Sequence, residues 1–192
     1  LVVISGPSGV GKDTVLEHFK QRGLRFHFVV TATTRPKRPD EVEGVDYFFV
    51  SEARFREMIK KGELIEHAIV YNDYKGVPRQ QIRDAMASGL DVVMRVDVQG
   101  AKTIRELASD ALLIFLAASN EEELVGRLRK RRTESEESLQ IRLQAAKREW
   151  EYLDIFDYCV VNADSQVETA VDTILAIIEA EHHRIDPRRV EL

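Results

Sequence analysis

Residues 6 to 14 read GPSGVGKDT, a run whose spacing suits polyphosphate binding. Gly6, Gly11 and Lys12 keep the register of G-x-x-x-x-G-K followed by Ser or Thr. In that pattern converging backbone amides and a lysine hold phosphate oxygens, and the hydroxyl reaches a magnesium ion. Here Asp13 takes the hydroxyl position and Thr14 comes one residue late. A carboxylate there should repel a triphosphate, so the loop is either retired or working with rearranged charges. A chance glycine-rich turn is the plain alternative. Against it stand the apolar run LVVIS before the loop and the helical pattern KDTVLEHFKQRG that begins at Lys12.

Two further stretches carry concentrated charge: TTRPKRPDEVEG (33–44) and RLRKRRTESEES (127–138). Arg35 and Arg38 are close enough in sequence to embrace one phosphate with forked, planar donors. Seen alone, TRPKR also reads as a solvated basic loop. Both stretches break the rhythm of the chain around them, as functional lids and ordinary surface loops do.

The elements that must position these residues are legible as apolar runs. LVVIS (1–5), FHFVVTAT (26–33), VDYFFVS (45–51), LIEHAIVYND (64–73), DVVMRVD (91–97), ALLIFLAA (111–118) and DYCVVN (157–162) read as strands. Several are continuously apolar and alternate with helical patterns, which predicts an α/β fold with a parallel sheet covered on both faces. Ser119-x-x-Glu122, Thr133-x-x-Glu136 and Ser165-x-x-Glu168 match capping boxes at helix starts. Val167, Val171, Ile174 and Ile178 give the closing helix one apolar face for the sheet.

The chain has 192 residues, 44% hydrophobic and 32% charged, with a net charge of −5, which suits one compact domain with a mobile sub-domain. The acidic balance argues against non-specific nucleic-acid binding, and no apolar run reaches membrane-spanning length. The only cysteine, Cys159, cannot form an internal disulfide and is expected as a buried thiol in a reducing compartment. The chain opens on Leu1, inside a strand-like run. An upstream segment removed beforehand is therefore expected, and the location is expected to be intracellular: the cytoplasm, or a chloroplast or mitochondrion after loss of a targeting peptide. His182 and His183 read as an exposed helix end, and Trp150 and Tyr152 as core anchors.

GPSGVGK, TTRPKRPDEVEGVDYFFV, GELIEHA, DVQGA and RRTESEESLQIRL occur in an order and spacing that resemble the guanylate kinases, over about residues 2 to 180. The resemblance implies a P-loop-type parallel sheet core (1–31, 89–126 and 143–183), a GMP-binding sub-domain at about 32–88 and an ATP lid at about 127–142. It implies magnesium-dependent transfer of the ATP γ-phosphoryl group to GMP. Partners are then ATP and GMP, with dGMP open, no nucleic acid or membrane, and a monomer.

Residue by residue, the resemblance assigns ATP to Gly6, Ser8, Gly9, Gly11, Lys12, Asp13, Thr14 and Asn162. Arg35, Arg38, Glu41 and Tyr47 match the part of the chain that holds the GMP phosphate, and Asp97 is also placed on the GMP side. Glu66 matches the guanine reader and Thr31 a small hydroxyl near the base. A carboxylate can accept from the ring N–H and exocyclic amine of guanine together, whereas adenine has an acceptor at the ring position. Arg131 and Arg142 match the lid arginines that join Lys12 in catalysis, and Arg127 is a further candidate.

The chain also departs from the family's usual pattern. Lys75 replaces a tyrosine and Val77 a hydroxyl residue after Tyr74; Arg132 replaces a glycine. Arg95-Val96-Asp97 replaces Asp-x-Asp. Asp13 and Arg95 are expected to explain each other, with Asp13 and Asp97 near magnesium and Arg95 neutralising Asp13. Alternatively, Asp13 only favours the helix start. A non-catalytic interaction module, or a kinase for another nucleoside monophosphate, stays open at this point.

Overall fold

The computed structural model describes residues 1–70, 72–130 and 136–190, with the side chains of Lys130, Arg142 and residues 136–139 also outside the description. In chain order the first half contains β1 (Val2–Ser5), α1 (Lys12–Gln21), β2 (Phe26–Phe28), β3 (Thr31–Thr33), β4 (Tyr47–Phe49), α2 (Glu52–Lys60), β5 (Leu64–Val70), β6 (Asp73–Pro78) and α3 (Arg79–Ala87). The second contains β7 (Asp91–Arg95), α4 (Val98–Leu107), β8 (Leu112–Ala117), α5 (Glu121–Lys130), α6 (Glu136–Glu149), a 3₁₀ segment (Trp150–Ile155), β9 (Tyr158–Val161) and α7 (Val167–His182).

The strands form two sheets. A five-stranded sheet in the order β2-β7-β1-β8-β9 is parallel throughout. Side-chain alternation on its strands feeds two cores. Val2 and Ile4 pack with Val15, Leu16 and Phe19 of α1 and with Val171, Ile174 and Ile178 of α7. Val3 points the other way and packs with Ile82 of α3 and with Ala101 and Ile104 of α4. The expected two-sided α/β core is therefore present. β7 pairs with β1, so Arg95 lies beside Ile4 at the end from which the glycine loop leaves.

A second sheet, β4-β3-β6-β5, is mixed: β3 is parallel to β4 and antiparallel to β6, which in turn is antiparallel to β5. It corrects two expectations. FHFVVTAT is not one strand; it splits into β2 in the first sheet and β3 in the second, so this run connects the two sheets. LIEHAIVYND is not one strand either: β5 ends at Val70 and Asp73 opens β6, whose remaining residues YKGVP are unassigned in the sequence. Gly76 fits there because a Cβ would lie 2.9 Å from Glu66 O, a Leu64 methyl and the Phe55 ring.

The helix starts also differ. Glu123 N–H donates to Asn120 Oδ1 (2.8 Å) and Glu123 accepts from Ser119 N–H (3.3 Å), one residue beyond the expected Ser119–Glu122 box. Ser165 has a positive φ and α7 starts without a side-chain cap; Glu168 instead pairs with Arg22 and His18. The Thr133 box lies outside the described residues. Cys159 is exposed rather than buried, because β9 is an edge strand. Trp150 is 43% exposed, with its ring edge-on to Phe115, while Tyr152 packs against Phe115 and Ala117. His182 and His183 are exposed at the end of α7, as expected. Among the described residues no helix is long and apolar enough to cross a membrane.

Ile174 is fully buried where α7 meets the sheet. Ile174→Ala should cost about 2–5 kcal/mol of stability, through lost transfer energy and a residual cavity. Urea denaturation measures this; a loss under about 1 kcal/mol would mean that α7 is not integral to the core.

Candidate active site

The glycine loop owes its path to close packing. Gly6 has φ +133°, and a Cβ there would sit 2.2 Å from Leu116 O, so only glycine fits against β8. Gly11 has φ +98° and caps α1 without a side chain of its own. The loop is braced from behind. Asn162 donates from its side-chain amide to Val10 O (2.9 Å), and Arg127 donates to Val10 O (3.0 Å) and Asn162 O (2.8 Å) while paired with Glu123. Asn162 is buried, and its amide would lie 2.5 Å from a Cβ on Gly11. The structure therefore places Asn162 and Arg127 against the back of the loop, where neither lines the cleft in front of it.

That cleft runs between the two sheets. One wall is Gly6, Ser8, Gly9, Gly11, Lys12 and Asp13. The other brings together Thr31, Arg35, Arg38, Tyr47, Glu66 and Lys75, residues that are far apart in sequence. Arg95, Asp97 and Glu149 close it between them. Thr14, Glu41, Tyr74 and Val77 do not line it. Glu41 sits behind Arg35, accepting both of its terminal nitrogens and the Arg38 amide. Tyr74 stacks on Phe55, and Val77 is fully buried in the core. Arg131 and Arg132, and the Arg142 side chain, lie outside the described residues.

Charge in the cleft is tightly packed and partly desolvated. Lys12 folds back to donate to Gly6 O (2.5 Å) and Pro7 O (2.9 Å). Burial pulls its ammonium down to about 8, against the opposing pull of the Glu149 carboxylate. Burial likewise lowers Lys75, with Asp97 and Asp13 opposing. Glu66 is 5% exposed on β5, close to the start of α4, where a Cβ on Gly100 would lie 2.8 Å from its Oε2. Burial, then the charge of Asp97, pushes its carboxyl up to about 8. Thr31, also buried, has its hydroxyl 3.5 Å from Arg95 O, at the outer limit of a hydrogen bond.

The Asp13 anomaly has a geometric counterpart. Arg95 Nε lies 3.0 Å from Asp13 Oδ1, an ion-pair contact whose geometry falls short of a directed hydrogen bond. The expected compensation of charge is thus present: the acid in the loop and the base on the neighbouring strand meet.

Val70, Asp73 and Val96 line the cleft and were missed by sequence reading, as was Glu149 at the end of α6. Burial pushes its carboxyl up to about 7, with Lys12 acting in the opposite sense. Its Oε2 is buried with no hydrogen-bond partner, a costly state that a ligand could relieve. Nothing local distinguishes Glu149 from the other charges of AAKREWEY; only the close of α6 beside the glycine loop does so.

Among the described residues no three His, Cys, Asp or Glu side chains gather into a metal cage. Magnesium rarely needs one, since it takes few carboxylates and fills its octahedron with water and phosphate oxygens. Asp97 accepts the Gln99 and Gly100 amides on Oδ1 alone. Its other oxygen, with the orphaned Glu149 Oε2, supplies hard donors at the phosphate end of the cleft. That donor set fits a hydrated magnesium ion carried by phosphates.

Comparison with known proteins agrees with this geometry. The family model for guanylate kinase matches residues 1–181. Guanylate kinase 2, chloroplastic/mitochondrial, of Oryza sativa subsp. japonica is 50% identical over all of this chain and 68% of its own length. The guanylate kinase of Lactococcus lactis subsp. lactis is 41% identical over 97% of this chain and 90% of its own. The crystal structure of guanylate kinase from Anaplasma phagocytophilum superposes with a TM-score of 0.77 at 31% identity, over 96% of this chain and 87% of that one. A glycine loop, an arginine-lined wall and a buried glutamate in one cleft, in a chain matched almost end to end, place this protein in the guanylate kinase family.

Proposed function

We propose that the cleft transfers the γ-phosphoryl group of ATP to GMP, giving ADP and GDP. The observation that carries this reading is the cleft itself: two anion-binding walls face one another, and a buried carboxylate stands on the wall of Arg35 and Lys75. The loop amides from Gly6 to Gly11 and Lys12 take the ATP phosphates, with Asp13 and Thr14 at the helix start and Asn162 holding the loop in shape. Arg35, Arg38, Tyr47 and Lys75 take the GMP phosphate, and Glu41 orients Arg35. Glu66 and Thr31 read the base. Retention of Gly6, Gly9, Gly11 and Lys12 around this cleft favours a kinase over a non-catalytic module.

Lys12 exchanges its two loop carbonyls for phosphate oxygens when ATP enters, a change that favours its charged form. A GMP phosphate oxygen then attacks the γ-phosphorus in line, and ADP departs. The attacking group is already an anion, so the protein need only align the two phosphates and neutralise charge. Arg131 and Arg142 supply lid cations to the phosphoryl group in flight. Asp97 and Glu149, with Asp13 beside them, hold the water shell of a magnesium ion. When bound there, magnesium would supply positive charge against the charge developing on the phosphates.

The test is ADP release from magnesium and ATP with GMP, dGMP, AMP or UMP as acceptor. GMP should be strongly preferred over AMP, and Glu66→Gln should reduce that preference about a hundredfold or more, because an amide offers a donor where guanine also presents one. No turnover with any acceptor would refute the kinase reading; an unchanged GMP-to-AMP ratio in Glu66→Gln would refute the role of Glu66.

Proton linkage gives an independent check. Guanine needs the carboxylate, yet burial keeps Glu66 protonated up to about pH 8. Binding therefore expels a proton below that pH. GMP affinity should climb from about pH 6.5 to about pH 8, by at most about tenfold per unit. Calorimetry in buffers of differing ionisation enthalpy reads both the slope and the released proton. Glu66→Gln should flatten this part of the profile; an equal slope in that variant would assign the proton elsewhere.

A further inference from the structure

Arg95 contacts both walls of the cleft. It is the last residue of β7, and its side chain is only 10% exposed. Nε meets Asp13 Oδ1 in the first turn after the glycine loop. Nη2 donates to Asp46 O at 2.5 Å, in the loop that leads into β4. The guanidinium carbon lies 4.5 Å from the centre of the Tyr47 ring. The other cation on that ring is Arg35, at 4.8 Å. Tyr47 thus meets two guanidiniums, Arg95 from the end of β7 and Arg35 from the loop after β3, contacts that gain strength where water is excluded.

We propose that Arg95 is a positioning residue: anchored by Asp13, it holds the Asp46–Tyr47 segment at a set distance from the glycine loop before substrates arrive. This rests on the reading of the Arg35–Tyr47 wall as the GMP phosphate site. The physical case is the breadth of a guanidinium. One planar, delocalised cation can carry charge to an acid on one wall and donate to a carbonyl on the other while lying against the ring; a compact ammonium cannot do all three. Arg95 is largely shielded from water while Asp13 is about half exposed, so the pair is screened less than one lying wholly at the surface. The two departures at Asp13 and Arg95 then have a joint consequence beyond cancelling charge: they connect the donor loop to the acceptor loop.

The test measures GMP binding by calorimetry without ATP, so that contacts of Asp13 with the donor nucleotide do not contribute. Arg95→Met should weaken GMP binding about tenfold, and Asp13→Asn about threefold in the same direction. In the Arg95→Met background Asp13→Asn should have no further effect. Arg95→Lys, which keeps the charge and loses the planar group, should resemble Arg95→Met and serves the same purpose should Arg95→Met fail to fold. Equal, additive effects of Asp13→Asn in both backgrounds, or wild-type affinity in Arg95→Lys, would overturn the proposal. Wild-type protein that does not bind GMP would instead overturn the reading of the site on which it rests.

Discussion

The structure depends on holding many charges of both signs in a narrow, partly dry cleft. Isolated buried charges are expensive, and each survives here through a neighbour or through a shift in its proton affinity. Lys12 leans on two carbonyls of its own loop, Arg95 on Asp13 and Arg35 on Glu41. Glu66 and Glu149 have weaker company and hold their protons more tightly instead. The cleft is therefore a set of pairings among its own residues, and the proposed reading has nucleotide phosphates and guanine replace them.

The fold serves this arrangement by bringing strand ends together. Parallel β1 and β7 deliver the glycine loop and Arg95 to the same edge, as open parallel sheets deliver ligand sites at their carboxyl ends. The second sheet brings Glu66, Lys75 and Tyr47 across from it. The run from Phe26 to Thr33, shared between the two sheets, ties Thr31 directly to the core. Rigidity behind the loop comes from Arg127 and Asn162, whose bonds to Val10 hold a turn that glycine alone would leave loose.

Sequence revealed the parts governed by local chemistry. Continuous apolar strands announced the five-stranded sheet, and the glycine loop and the Arg35–Arg38 pair were legible because their spacing itself carries the chemistry. Glu66 was legible only through the resemblance of GELIEHA to the guanylate kinases. What stayed hidden was set by tertiary contact. FHFVVTAT looks like one strand because nothing in its residues marks a change of sheet. YKGVP was masked by a glycine and a proline that usually break strands; here Gly76 is demanded by the packing of Phe55 and Leu64. Cys159 has an apolar context suited to burial, but its strand ends at an edge. Glu149 and Arg127 look like ordinary helix charges until the helices close beside the glycine loop. The Asp13–Arg95 pair was the exception: two breaks in a pattern, opposite in sign, on elements that a parallel sheet must place side by side.

On the proposed reading, the charges of the cleft exchange these partners for two nucleotides. A crystal structure with GMP and a non-hydrolysable ATP analogue should show Lys12 moved from Gly6 O and Pro7 O to the ATP phosphates, and both oxygens of Glu66 meeting the ring N–H and amine of guanine. Nucleotides bound with Lys12 still on its loop carbonyls, or with the base away from Glu66, would contradict it.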